Sequence, residues 1–480
     1  MALVSGIIIN NYLLIKKIGV GGFSQIWLAG FLKGWEIKQK LCILKVYSTD
    51  DKEEFENELK FQKKIVQFIE HDKDISDGRE YINVMDTYFL TKTHLCIRYQ
   101  IATCDVYDII SSGKYKYGLP INLVKKIVKQ VLLGMQFLVK KTKIIHGDIK
   151  PENILLCGTS NVVANIIELT KSIDYETIFK SCKKDWATFA TKIRDLLKIV
   201  KNSSNTDDDT DDDTEDDDSN EATEDDDTED DDTEDATDTS ELTDTDSSST
   251  DDSDTPLNAE RIQSCDDYKN NKDIDNLPSL INIEEFYDYL EPMERINSET
   301  QSICADTYIH NPKVFLTDLG HSTHSIIRDN KEMQTRYYRA PEIILDAPYH
   351  YSADLWSLGC TIFELLTGCI LFDPCDEPLN TDIHHLFLIE KVIGPIPKEL
   401  IEKSKRGKIL YEKNNKDPRG YKLKGVEKII PVSLKNILIQ QHGFKEDDAI
   451  QVTNFLAKFF HLDYNKRYTF DKCINHTFLD

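Results

Sequence analysis

The sequence predicts an α+β protein of two lobes, a β-rich amino-terminal lobe and a mainly helical carboxy-terminal lobe, split by a long acidic insert. Three observations carry that reading. Strand patterns fill residues 12–47 and recur at Leu95–Ile101. Amphipathic helical patterns dominate from residue 121 onward, and strands followed by helices suggest two lobes with a cleft between them. The third is a break in composition: residues 206–255 contain 28 Asp and Glu and no Lys or Arg. Taking those 28 from the 85 acidic residues leaves 57 against 58 basic ones, so the net charge of −27 belongs to the insert and the remainder is nearly neutral.

The elements follow in order. Ile18 leads into Gly-Val-Gly-Gly-Phe-Ser at 19–24, after which Gln25 to Ala29 alternate as a strand does, and residues 41–47 form a second strand signal. Glu53 to Phe68 reads as a helix, because Phe55, Leu59 and Ile65 fall on one face among charges. The lobe boundary is expected near Ala102–Asp105. A strong amphipathic helix is predicted over 121–139, and buried helices over 352–367 and 449–460. The domain reading is therefore 10–101 for the first lobe, 102–157 and 313–480 for the second, and 158–312 for the insert. The centre of the insert, 206–255, is too polar and too uniformly charged to bury a core and is expected to be disordered. Its edges differ. Trp186, Phe189, Ile193, Leu196 and Leu197 sit at helical spacing within 184–200, and Leu277, Leu280, Ile281, Phe286 and Leu290 do so within 277–292. Short helices are expected at both, docked on the folded body.

Composition also excludes classes. The 11 cysteines make no framework and no Cys-x-x-Cys pair, which favours reduced thiols and a cytoplasmic or nuclear setting. The amino terminus lacks a secretory pattern, and no apolar run approaches the roughly 20 residues that span a bilayer, so no membrane association is expected. The balanced body has no basic stripe, which disfavours direct nucleic-acid binding. A monomer is expected. Abundant Ile, Lys, Asn and Asp point to an AT-rich genome of the kind large DNA viruses carry.

The chemistry concentrates in His-Gly-Asp-Ile-Lys-Pro-Glu-Asn at 146–153. Asp148 can accept the proton of an attacking hydroxyl, Lys150 can neutralise a γ-phosphate, and Asn153 can hold a metal ion. Phosphoryl transfer asks mainly for positioning and charge neutralisation, which these residue types supply. Gly19, Val20, Gly21, Gly22, Phe23, Ser24 and Ile26 form a glycine-rich loop between strands, whose amides can cradle phosphate oxygens. Taken alone, a plain glycine hairpin explains that loop equally well. Lys45 follows on a strand and can pair with the α- and β-phosphates, while Glu58 on the next helix can form an ion pair with Lys45. Asp318-Leu-Gly320 follows the strand Val314–Leu316 and places a carboxylate to chelate Mg²⁺.

The octapeptide resembles the catalytic loop of eukaryotic protein kinases, and the other motifs stand in the order of that family. Tyr-Arg-Ala-Pro-Glu at 338–342, with Arg339, is similar to the CMGC group. Within it, the phosphate loop at 19–28, the stretch 144–156, Asp-Leu-Gly, the segment from Leu371 to Pro397 and the split after the catalytic loop resemble the SR-protein kinases. The resemblance covers roughly residues 10–157 and 312–479.

It implies a serine/threonine protein kinase that uses ATP and Mg²⁺, with protein substrates that are basic or Arg/Ser-rich. It implies Asp148, Lys150 and Thr335 as catalytic residues, with Thr335 bonded to Asp148 and Lys150. Asn153 and Asp318 hold the metal, and the adenine lies against Gln100–Ala102 beside a gatekeeper, Tyr99. Glu342 is expected to pair with Arg467, and the Asp354 helix to support the catalytic loop. Glu152, Asp373, Asp376, Glu377 and Asp382 are candidates for an acidic substrate groove, although plain solubility explains such carboxylates as readily. Gly147 replaces the arginine that clamps a phosphorylated activation loop in most kinases, so activity without that phosphorylation is expected. Two other readings stay open: a pseudokinase scaffold, because Ser24, Gly147 and Leu319 depart from the usual residues, and a binding module for basic proteins built on the acidic tract.

Overall fold

A computed structural model describes residues 3–33, 36–37, 41–72, 77–111, 113–158, 170, 172–203, 311–324, 333–376 and 379–480. The acidic tract 206–255, the second predicted insert helix at 277–292 and Glu377 lie outside the described residues.

The amino-terminal lobe is an antiparallel sheet: β1 (Tyr12–Val20), β2 (Ser24–Lys33), β3 (Cys42–Ser48), β4 (Thr87–Leu90) and β5 (His94–Tyr99). Spatial order runs β1, β2, β3, β5, β4, with the two-residue strand Ile8–Ile9 outside β1 and Glu36–Ile37 paired to β2. Between β3 and β4 runs α1 (Lys52–His71). Its acidic first turn and His71 in its last turn suit the helix dipole. Phe55, Leu59, Phe61 and Ile65 are buried along one face, as their spacing requires.

After Tyr99, residues Gln100–Thr103 cross to the second lobe. It opens with the strand β6 (Cys104–Asp105) and the long helix α2 (Ile121–Lys140), which buries ten residues along one face. The catalytic-loop motif follows, and then β7 (Ile154–Leu156). The insert leaves at Gly158 and returns into β8 (Val314–Leu316). These two strands pair antiparallel, Ile154 opposite Leu316 and Leu156 opposite Val314. The insert is thus the loop of a hairpin, so its length does not disturb the sheet that flanks it. The helix α5 (Ser352–Thr367) lies at the centre of the lobe with all 16 residues buried. The helix predicted at 449–460 spans Glu446–Leu456, and Ala457 to Phe459 follow as hydrogen-bonded turns.

The first edge of the insert is helical, as its spacing predicts. A hairpin of α3 (Tyr175–Ser181) and α4 (Trp186–Ser203) is capped by Asp174, which accepts from the Thr177 N–H, and by Asp185, which accepts from the Thr188 N–H. Its docking site is the sheet of the first lobe. Tyr175, Phe179, Phe189 and Ile193 pack on Leu13, Ile15, Leu28 and Leu32, with Ile101 of the crossing segment against the same cluster. Contact is close enough that a Cβ on Gly6 would fall 2.3 Å from the Ala190 carbonyl.

Candidate functional site

The site is built where the two lobes meet. Lys45 stands in β3, and its ammonium donates to Glu58 Oε2 of α1 at 2.7 Å and to Asp318 Oδ1 at 3.0 Å. Burial alone would push the ammonium down, but the Asp318 and Glu58 charges outweigh it and hold it above the ordinary lysine range. For Asp318 the balance is reversed: burial pushes up, and Lys45 holds the carboxyl well below the usual carboxylate range. Asp318 has φ of 64°, a left-handed backbone that is costly for a non-glycine residue, and Gly320 N–H donates back to its Oδ1 at 3.1 Å.

Across the cleft, Asp148 is buried to 4% exposure. Its Oδ1 accepts from the Thr335 N–H at 3.0 Å and the Thr335 hydroxyl at 2.7 Å, and Lys150 lies 2.9 Å from its Oδ2. Burial would raise the Asp148 carboxyl, but Lys150 and Thr335 bring it below its ordinary value. Lys150 also donates to Thr335 Oγ1 at 2.9 Å. Asn153 Nδ2 donates to the Asp148 carbonyl and to Oδ2, at 2.8 and 3.0 Å. The two carboxylate segments meet through Thr317: its N–H donates to the Asn153 carbonyl at 3.0 Å, and its carbonyl accepts from His146 Nε2 at 2.9 Å.

The loop Gly19–Ser24 joins β1 to β2, with Gly21 N–H donating to the Ser24 carbonyl at 2.8 Å. Val20 and Phe23 face solvent, Ser24 is buried, Ile26 is half-buried, and a Cβ on Gly22 would meet nothing within 4 Å. Gln100 and Ala102 are half-buried in the segment that links the lobes.

Support for the catalytic loop comes from α5. Asp354 accepts from the His146 N–H at 2.7 Å and the Gly147 N–H at 3.0 Å. Glu342 and Arg467 form a doubly bonded ion pair, with 2.5 and 2.7 Å contacts and both side chains fully buried. Sequence reasoning missed Gln334. Its N–H donates to the Gly147 carbonyl, its Nε2 to the Ala353 carbonyl and Ser357 Oγ, and its Oε1 accepts from the Ala340 N–H. It ties the segment before Thr335 to both the catalytic loop and α5. Also unforeseen are the bonds of Tyr47 and of the expected gatekeeper Tyr99, whose hydroxyls both donate to Glu58.

The groove candidates separate. Asp373 and Asp376 are exposed and Glu152 is half-buried. Asp382 does not belong with them. It is 8% exposed and neutralised by Arg336 and by Arg406, the latter at 2.5 Å. Sequence spacing cannot show such partners, because they lie 46 and 24 residues away.

The model of the protein kinase domain family matches residues 12–177 and 305–479. A protein of Acanthamoeba polyphaga mimivirus, named as a serine/threonine-protein kinase, is 31% identical over 98% of this chain and 87% of its own length. Protein kinase dsk1 of Schizosaccharomyces pombe is 25% identical over 95% of this chain and 78% of its own. SRSF protein kinase 3 of Homo sapiens is 24% identical over 98% and 86% respectively.

Proposed function

The chain belongs to the protein kinase family, its relatives include serine/threonine and SR-protein kinases, and from that premise we propose how its own residues transfer phosphate and to what. The family uses ATP and Mg²⁺. The donor set here suits both: a carboxylate (Asp318) and an amide oxygen (Asn153) are hard ligands for Mg²⁺, and Lys45 offers a buried cation to phosphates. When bound, the ion neutralises charge on the phosphates. Glu58 aims Lys45. The glycine loop, 19–24 with Ile26, covers the phosphates, and Gln100 and Ala102 receive the base. Asp148 accepts the proton of the substrate hydroxyl and orients it, Thr335 holds that carboxylate in place, and Lys150 screens the transferred group.

The observation that carries this reading is the assembled pair of ion clusters, Lys45 with Glu58 and Asp318, and Asp148 with Lys150 and Thr335. It favours an enzyme over a scaffold, since a scaffold needs neither. Radiolabelled ATP decides: transfer by the wild type, abolished in Lys45→Met and Asp148→Ala with unchanged circular dichroism, is the expected result. No transfer by the wild type would favour the scaffold.

The proposed substrates are Arg/Ser-rich or basic proteins, and the proposed enzyme is constitutively active. Burial together with the neighbouring Asp108 and Glu152 charges pushes Asp105 up to about 6, which a substrate cation would relieve. The acidic tract adds long-range attraction for the same class of partner. Deleting 206–255 should raise KM for a long basic protein at low salt and leave that for a short neutral peptide unchanged. Equal effects on both would refute the tract's role.

A further inference from the structure

Glu58 is gripped from three sides. Lys45 donates to Oε2 at 2.7 Å, the Tyr47 hydroxyl donates to the same oxygen, and the Tyr99 hydroxyl donates to Oε1 at 2.5 Å. The sheet places all three donors on one face. Tyr47 lies two residues beyond Lys45 in β3, and Tyr99 in β5 stands opposite Ile43, which lies two residues before Lys45. Glu58 is wholly buried and both tyrosines are nearly so. A carboxylate removed from water needs its lone pairs filled, and one ammonium cannot fill them. Burial and the Glu58 charge push both phenols far above their ordinary range, so they remain donors at any working pH.

We propose that Tyr47 and Tyr99 are positioning residues for phosphoryl transfer: their hydroxyls lock Glu58 onto Lys45 and thereby hold α1 against the cleft without a partner protein or a phosphate. Other contacts of α1 act in the same sense. Asn57 Nδ2 donates to the Gly320 carbonyl at 2.5 Å, two residues from Asp318. Gln62, fully buried, donates to the Asn83 carbonyl and accepts from the Met85 N–H, at 3.1 and 2.9 Å. An outward swing of α1 would strand the buried Glu58 and Gln62 together and break the half-buried Asn57 bond, so the inward position is strongly favoured. The gatekeeper position thus carries an electrostatic task besides shaping the adenine pocket.

The proposal rests on the reading of Lys45 as the phosphate-binding lysine, and its test separates the two. Phenylalanine fills the same volume as tyrosine, so Tyr47→Phe, Tyr99→Phe and the double variant remove only the hydroxyls. Each is made in the full chain, with Glu58 and in a Glu58→Gln background, and read by transfer kinetics and by affinity for a fluorescent ADP analogue. With Glu58 present, each single change should lower kcat/KM for ATP about tenfold and the pair roughly a hundredfold, raising KM as well as lowering kcat. In the Gln background the same changes should cost far less, since the charge they serve is gone. Wild-type kinetics in the double variant, or equal losses in both backgrounds, would reduce the tyrosines to core packing and overturn the proposal. If Glu58→Gln fails to fold, hydrogen exchange decides: the Phe variants must lose protection across α1 but not across α5, and equal protection overturns the idea. A wild type that neither binds nucleotide nor transfers phosphate would remove the catalytic reading itself, a result the unsubstituted control reports separately.

Discussion

Thr335 gives both its backbone N–H and its hydroxyl to a single oxygen of Asp148, at 3.0 and 2.7 Å. A residue 187 positions away in the chain thus sets the orientation of the carboxylate proposed to receive the substrate proton. The same hydroxyl accepts from Lys150. Catalytic loop and substrate-facing segment are therefore one hydrogen-bonded unit, on the opposite side of the cleft from the Lys45 cluster.

Thr335→Val keeps the shape and the N–H but removes the hydroxyl. We expect kcat to fall about tenfold to a hundredfold with KM for ATP nearly unchanged, because only the protein-substrate side is disturbed. Steady-state kinetics with ATP varied checks this. A rise in KM for ATP with kcat intact would contradict it.

Gly147 has φ of 81°, and a Cβ there would lie 2.5 Å from the His321 carbonyl. The backbone itself demands glycine, apart from any loss of an arginine side chain. Gly147→Ala should cost about 1–3 kcal/mol of stability, seen as a lower denaturant midpoint. Gly147→Arg should lose activity and not gain control by phosphorylation. Phosphatase treatment of the wild type should leave its rate unchanged.

The Glu342–Arg467 pair has no exposed side-chain surface. Arg467→Met would leave Glu342 buried and uncompensated, at a cost of about 3–5 kcal/mol. Replacing both by apolar residues should recover part of that loss. Chemical denaturation of the single and double variants tests the order.

Burial, helped by the Glu152 charge and only partly offset by donation from the Tyr338 hydroxyl, pushes Glu364 up to about 7. A carboxyl raised in the folded state stabilises fully below its unfolded pKa of about 4, and the contribution is lost as pH rises through 7. Buried His385 acts oppositely, since burial pushes it down to about 3. The informative quantity is therefore a difference. The Tm of the wild type relative to Glu364→Gln should decline between pH 4 and 7 and level off above. A flat difference across that window would exclude the titration.

Phe189 and Ile193 fasten the insert's first hairpin to the sheet, both with no exposure. Phe189→Ala should cost about 3–5 kcal/mol of docking. Limited proteolysis within 175–203 should quicken accordingly, while cleavage within α5 stays slow.

Much was legible in the sequence because its signals are local. The period of α1, the strand alternation around Lys45, the glycine loop and the run 146–153 each lie within a few residues, where chain geometry alone links pattern to structure. Even the helix expected within 184–200, which the structure places at Trp186–Ser203, is a local signal. The family order of the motifs then drew Lys45, Glu58, Asp148, Asn153 and Asp318 toward one cleft, where the structure places them. What tertiary structure decided is which side chain meets which across long separations. Asp382 looked like free surface charge until Arg336 and Arg406 were found on it. Gln334 looked like loop, and became the joint between catalytic loop and α5. Tyr47 looked like a strand residue and Tyr99 like a gatekeeper beside the adenine, and their hydroxyls met on Glu58. The docking face of the insert hairpin was equally invisible, because an amphipathic period says that a face is buried but not against what. Burial and pairing are properties of distances in space, and distances between remote residues exist only once the chain has folded.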